Sequence, residues 1–158
     1  MTTPGTILYA EDEETDVFFL QRAFTKAGIT HTLRAVPDGQ EAVAYLSGSG
    51  PFADRELCPL PALILLDINM PKKSGLEVLE WIRRQPNLKS VPVLMFTSSS
   101  NPTDMEKARQ LAADDYLLKP SDPLKLAELV KSLNERWLSQ TARQLGANGT
   151  GPKPKDRA

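Results

Sequence analysis

Cysteine occurs once in the 158 residues, as Cys58, and histidine once, as His31. One thiol closes no disulfide within the chain, and one thiol with one imidazole cannot furnish a zinc site of the usual Cys and His kind. Cys58 therefore reads as an incidental thiol, and the lack of cross-links suits a reducing compartment. No apolar run approaches the ~20 residues that span a bilayer, and Met1-Thr2-Thr3-Pro4-Gly5 lacks the basic-then-apolar pattern of an export signal, so the expectation is a cytoplasmic protein. Strong charge of one sign is absent too, with 19 basic against 20 acidic side chains and a net charge of −1. Arg143, Lys153, Lys155 and Arg157 lie close to the carboxyl end, which leaves the preceding body mildly acidic and argues against nucleic acid as the main partner.

What the chain does have is the run Ala62-Leu63-Ile64-Leu65-Leu66-Asp67-Ile68-Asn69-Met70-Pro71. Consecutive apolar residues with no polar face predict a strand buried on both sides, as in the middle of a parallel sheet. Ligands bind at the carboxyl ends of such strands, so Asp67 is placed for chemistry.

Other segments fall into the same alternation. Thr6–Ala10 predicts a strand leading into Glu11-Asp12-Glu13-Glu14, and Val17, Leu20, Phe24 and Ala27 then give a helix one apolar face, with Gly28 as its stop. A half-polar strand is expected over His31–Val36, followed by a helix capped by Asp38 with Glu41, burying Ala42, Val43 and Leu46. Residues 47–61 form a loop longer than the usual ~2–6 residues, read as a tolerated surface insertion or a partner-binding loop. Ser74-Gly75-Leu76-Glu77 opens a third helix with Leu76, Leu79 and Ile82 inward; Val91–Thr97 is a fourth strand; Asn101-Pro102 opens a fourth helix. Asp115–Pro120 is a fifth strand, and Asp122-Pro123 opens a last helix carrying Leu126, Leu129, Val130, Leu133 and Trp137. Five strands alternating with five helices predict a three-layer, doubly wound α/β domain with a parallel sheet in the order 2-1-3-4-5, over residues 1–140, with 141–158 as a flexible tail.

That strand order gathers Glu11 and Asp12, Asp67 with Asn69, Thr97 with Ser98, and Lys119 along one edge. Three carboxylates within ~5 Å repel by about 3 kcal/mol per pair at an effective dielectric near 20, so such a cluster recruits a cation. The donors are hard oxygens, which favours Mg²⁺ over Zn²⁺. A carboxylate beside a divalent metal and an ammonium is equipped to attack phosphorus and form an aspartyl phosphate.

Taken together, Glu11-Asp12, Leu66-Asp67-Ile68-Asn69-Met70-Pro71, Ser74-Gly75, Thr97-Ser98 and Lys119-Pro120 resemble the receiver domain of two-component response regulators, over about Thr6 to Trp137. The chain also resembles the small single-domain regulators paired with bacterial and cyanobacterial phytochrome kinases. The resemblance implies that Asp67 accepts phosphate from a sensor histidine kinase, and that Asp12, Asp67 and the Asn69 carbonyl bind Mg²⁺ with Glu11 assisting through water. It further implies that Lys119 holds a phosphoryl oxygen ahead of a cis Pro120, that Thr97 moves to the phosphate with Ser98 small enough to admit it, and that Tyr116 turns inward. The readout implied is the surface of the fourth helix, fifth strand and fifth helix, through which such proteins form homodimers; Trp137 and Leu138 are candidate anchors there, core packing being the alternative for Trp137. Glu11 departs from the Asp common at its position, and the 47–61 loop is unusual for the family.

About twenty residues follow Leu138, too few for an effector module. The leading expectation is therefore a stand-alone phosphorylation switch with at most slow autodephosphorylation, its lifetime influenced by Asn69 and Ser99, and no contact with nucleic acid or membrane. A phosphorylation-independent scaffold and a phosphate-shuttle intermediate are the alternatives. An aspartyl-phosphate phosphohydrolase of the haloacid-dehalogenase kind is disfavoured, since the second Asp of that pattern is here Asn69.

Overall fold

A computed structural model of the chain describes residues 5–139. Its sheet is built from β1 (Thr6–Ala10), β2 (Thr32–Val36), β3 (Leu63–Leu66), β4 (Val93–Thr97) and β5 (Asp115–Leu118), all parallel in the order β2-β1-β3-β4-β5. Helices α1 (Glu14–Lys26), α2 (Gly39–Ser47), α3 (Gly75–Arg83) and α4 (Pro102–Gln110) make the crossovers, and α5 (Pro123–Leu133) follows β5. The three-layer expectation holds. The expected tail 141–158 lies outside the described residues.

Side chains alternate across β1 and β3. Leu8, Ala10, Ile64 and Leu66 pack with Ala42, Tyr45, Val78, Leu79 and Ile82 of α2 and α3, while Ile7, Tyr9, Leu63 and Leu65 pack with Leu20, Phe24, Val130 and Leu133 of α1 and α5. Each fully buried Leu or Ile stabilises the fold by roughly 1.5–3 kcal/mol, so the unbroken Leu63–Leu66 run fixes β3 at the centre. No helix among the described residues is long and apolar enough to cross a membrane.

Several local expectations need correction. In α3 Leu76, Leu79 and Ile82 do face the core, Leu76 only half-buried, and the position left out of that reading is Val78, which is fully buried. Ala27 is exposed at the end of α1, and Ile29 packs inward instead. β2 starts at Thr32 and β4 at Val93, one and two residues later than the sequence suggests. A five-residue π-helical turn, Asn134–Leu138, continues α5 and leaves Leu138 only 2% exposed among Leu20, Phe24 and Ile29, so it belongs to the core of the monomer and is not a free dimer anchor. Trp137 is half-buried against the same cluster. No peptide bond among the described residues is cis, so Lys119–Pro120 is trans, the isomer intrinsically favoured for X-Pro bonds.

The long segment before β3 is anchored to the body of the domain. It carries a 3₁₀ turn, Gly50–Phe52, and is pinned by Arg55, which donates to the carbonyls of Tyr45 (2.8 Å), Leu46 (2.8 Å) and Cys58 (3.1 Å). Tyr45 donates its hydroxyl to the Pro59 carbonyl at 2.7 Å, and buried Cys58 accepts from Arg34 at 3.0 Å. Cys58 is thus a packed residue joining β2 to this segment.

Candidate functional site

The sheet register sets the site. Ala10 lies opposite Leu66, and the Asp67 amide donates to the Ala10 carbonyl at 3.1 Å, so the residues that follow, Glu11 and Asp67, leave neighbouring strands side by side. On the other flank the Lys119 amide donates to the Thr97 carbonyl at 2.8 Å, which carries the ladder one residue past β5 and aims Lys119 at the same edge. Behind Asp67, α3 packs so closely that a Cβ on Gly75 would stand 2.1 Å from the Asp67 carbonyl oxygen.

Glu11, Asp12 and Asp67 each present a carboxylate oxygen within 4.8 Å of the others. Glu11 is buried and its oxygens are already engaged. Oε1 accepts from Tyr9 (3.1 Å) and, at short range, from Lys119, and Oε2 accepts from the Glu13 amide (3.0 Å). Asp67 is buried as well; its Oδ2 accepts from Lys119 at 3.0 Å, but Oδ1 is buried with no hydrogen-bond partner. An ionised, buried carboxylate oxygen without a donor is costly, and a hard cation is the ligand that relieves it. The donor set therefore fits a divalent metal of the oxygen-loving kind.

Electrostatics agree with that geometry. Burial pushes the Glu11 carboxyl up to about 7, with the Lys119 hydrogen bond and the Glu13 amide pulling the other way and the Asp67 charge adding to the rise. Burial lowers the Lys119 ammonium, but hydrogen bonds to Asp16 and Glu11 and the charge of Asp67 outweigh it, so the amine stays protonated well above its ordinary range. Tyr9 is raised by burial and by the Glu11 carboxylate, so it remains a neutral donor.

Of the residues expected at the edge, Glu11, Asp12, Asp67 and Lys119 are brought together. Asn69 and Ser98 lie exposed on the loops after β3 and β4, and their side chains take no part in the cluster's hydrogen bonds among the described residues. Thr97 is buried and its Oγ1 accepts from the Ser99 amide at 3.2 Å. Tyr116 is half-buried, and burial raises its phenol, opposed by its hydrogen bond to Ser99. Asp16 was missed by the strand-end reading: from the first turn of α1 its Oδ2 accepts from Lys119 at 2.8 Å. The signal was available, since a helix that follows β1 directly starts at the same edge, and its first-turn acids face it.

Such a fold and edge define an α/β module of the receiver class, and the chain belongs to the response regulator receiver domain family, whose model matches residues 7–131. It is similar to the response regulator Rcp1 of Synechocystis, with 37% identity over 135 residues that cover 85% of this chain and 90% of that protein. In structure it is similar to the phosphorylated cyanobacterial phytochrome response regulator RcpA, with TM-score 0.80 and 36% identity over 87% of this chain and 96% of that one. The Mn²⁺-bound form of Rcp1 is comparable, with TM-score 0.77 and 36% identity over the same shares of the two chains.

Proposed function

We propose that this protein is a phosphorylation switch in which Asp67 is the phosphoacceptor for a sensor histidine kinase of the phytochrome type. An Asp67 oxygen attacks the phosphorus of a phosphohistidine; the new O–P bond forms as the N–P bond breaks, and the departing imidazole takes up a proton from solvent. Lys119 holds a phosphoryl oxygen, and the Thr97 hydroxyl donates to another, with Ser98 leaving room. Mg²⁺, held by Asp12, Asp67 and the Asn69 carbonyl with Glu11 acting through water, supplies positive charge against the transferring oxygens when bound. The unpartnered, buried Oδ1 of Asp67, with Oδ2 already on an ammonium, is the observation that carries this reading. The saturation of both Glu11 oxygens by protein donors supports an indirect role for that acid.

Phosphorylation is read out through α4, β5 and α5, with Thr97 and Tyr116 as the moving parts and homodimerisation as the output. Met105 and Leu118 are exposed apolar residues on that face, which suits a protein partner. The protein acts in the cytoplasm, and its only turnover is slow loss of its own phosphate. Incubation with acetyl phosphate and Mg²⁺ should add one phosphoryl group by intact mass, and Asp67→Asn should add none. Labelling of Asp67→Asn at the wild-type rate would refute the assignment. Transfer from a phosphorylated phytochrome kinase faster than from kinases of unrelated input tests the partner.

A further inference from the structure

An ammonium has three N–H donors and no acceptor. In this site all three are spent on carboxylates: Glu11 Oε1 at short range, Asp16 Oδ2 at 2.8 Å and Asp67 Oδ2 at 3.0 Å. To take a phosphoryl oxygen Lys119 must release at least one of them. Two of the three acceptors belong to Glu11 and Asp67, residues of the carboxylate group suited to a cation, and a cation bound there repels the ammonium from both. Asp16 stands apart from that group. It sits in the first turn of α1, with its side chain 39% exposed and the Lys119 side chain only 12% exposed.

We propose that Asp16 is a positioning residue for phosphoryl uptake: it keeps the Lys119 amine at the mouth of the site when the cation and the incoming phosphoryl group displace it from Glu11 and Asp67. One N–H stays on Asp16, and the two released N–H groups turn to the phosphoryl oxygens. This inference rests on the reading of Asp67 as phosphoacceptor. The role depends on an acceptor oxygen at the right place, not on the negative charge alone. Those two possibilities differ in sign. A bare carboxylate near the site repels an incoming phosphoryl anion, so as a mere charge its removal speeds uptake; as a positioning acceptor its removal slows uptake.

The test compares Asp16→Ala, Asp16→Asn and wild type for the rate of phosphoryl uptake from acetyl phosphate at saturating Mg²⁺, with Mg²⁺ affinity measured separately by calorimetry. Loss of a charge-assisted hydrogen bond predicts an uptake rate about tenfold lower in Asp16→Ala, while Asp16→Asn, whose amide oxygen still accepts, returns to within about threefold of wild type. Mg²⁺ affinity should change alike in the two variants, since both lose the charge. The ¹⁵N ammonium resonance of Lys119 in the metal-free protein should shift in Asp16→Ala and much less in Asp16→Asn. Uptake by Asp16→Ala equal to or faster than wild type, or equal loss in both variants, overturns the proposal while wild-type labelling at Asp67 leaves the receiver reading standing. A wild-type protein that takes no phosphoryl group on Asp67 overturns both.

Discussion

The Tyr116 hydroxyl donates to the Ser99 carbonyl at 2.7 Å, and the Ser99 amide donates to Thr97 Oγ1 at 3.2 Å, so the aromatic ring on β5 and the hydroxyl at the end of β4 share one residue as hinge. Ser99 is further held through its own hydroxyl, which donates to Asp104 at 2.8 Å in the first turn of α4. Any displacement of Thr97 is therefore passed to Tyr116 and α4 together.

Tyr116→Phe removes one arm of that hinge. The expected cost is about 1 kcal/mol in urea unfolding. Amide exchange across residues 98–101 should accelerate, while phosphoryl uptake by Asp67 stays within about twofold, because the site's contacts with Lys119 are untouched.

Gly75→Ala places a methyl group 2.1 Å from the Asp67 carbonyl oxygen, a clash with backbone that no rotamer relieves. Separation of α3 from the end of β3 should cost about 1–3 kcal/mol. Urea unfolding gives the stability, and calorimetric Mg²⁺ titration should show weaker binding as Asp67 is displaced.

Glu11 supplies a pH signature. Its folded value of about 7 lies above its ordinary 4.5, so between these values the folded protein keeps a proton the unfolded chain has lost. The contribution of this group to stability is therefore most favourable below the lower value and declines as pH rises through the window. Metal-free unfolding measured from about pH 5 to about pH 7 should show that decline in wild type and a flatter course in Glu11→Gln.

Phe18 and Phe19 are 57% and 53% exposed on α1, and Leu124, at the start of α5, is 75% exposed. Exposed apolar side chains on helices that start at the site suit contact with a protein partner. Phe18→Ala with Phe19→Ala should slow transfer from the kinase by about tenfold, on the scale of lost interface anchors, and leave uptake from acetyl phosphate unchanged.

Much of this was legible in the chain itself, and for identifiable reasons. A short uninterrupted apolar run between Pro61 and Pro71 reads as a two-sided strand, so β3 and Asp67 were readable, and the 2-1-3-4-5 order then placed Glu11 and Lys119 beside it. Asp16 was hidden because a helical acid near an N-terminus is also explained by the helix dipole. The internal order of residues 47–61 was not legible, because it comes from Arg55 satisfying three carbonyls at once, a match between side chain and backbone that local composition does not encode.

That anchored segment sits at the starts of the strands, beside Gly5, Thr6 and Thr32, while Asp67 lies past their ends. Leu57, exposed at its surface, is thus a natural handle for a fluorophore or a tether: a reporter fixed there would ride on a rigid pole of the molecule and leave the chemistry at the other pole undisturbed.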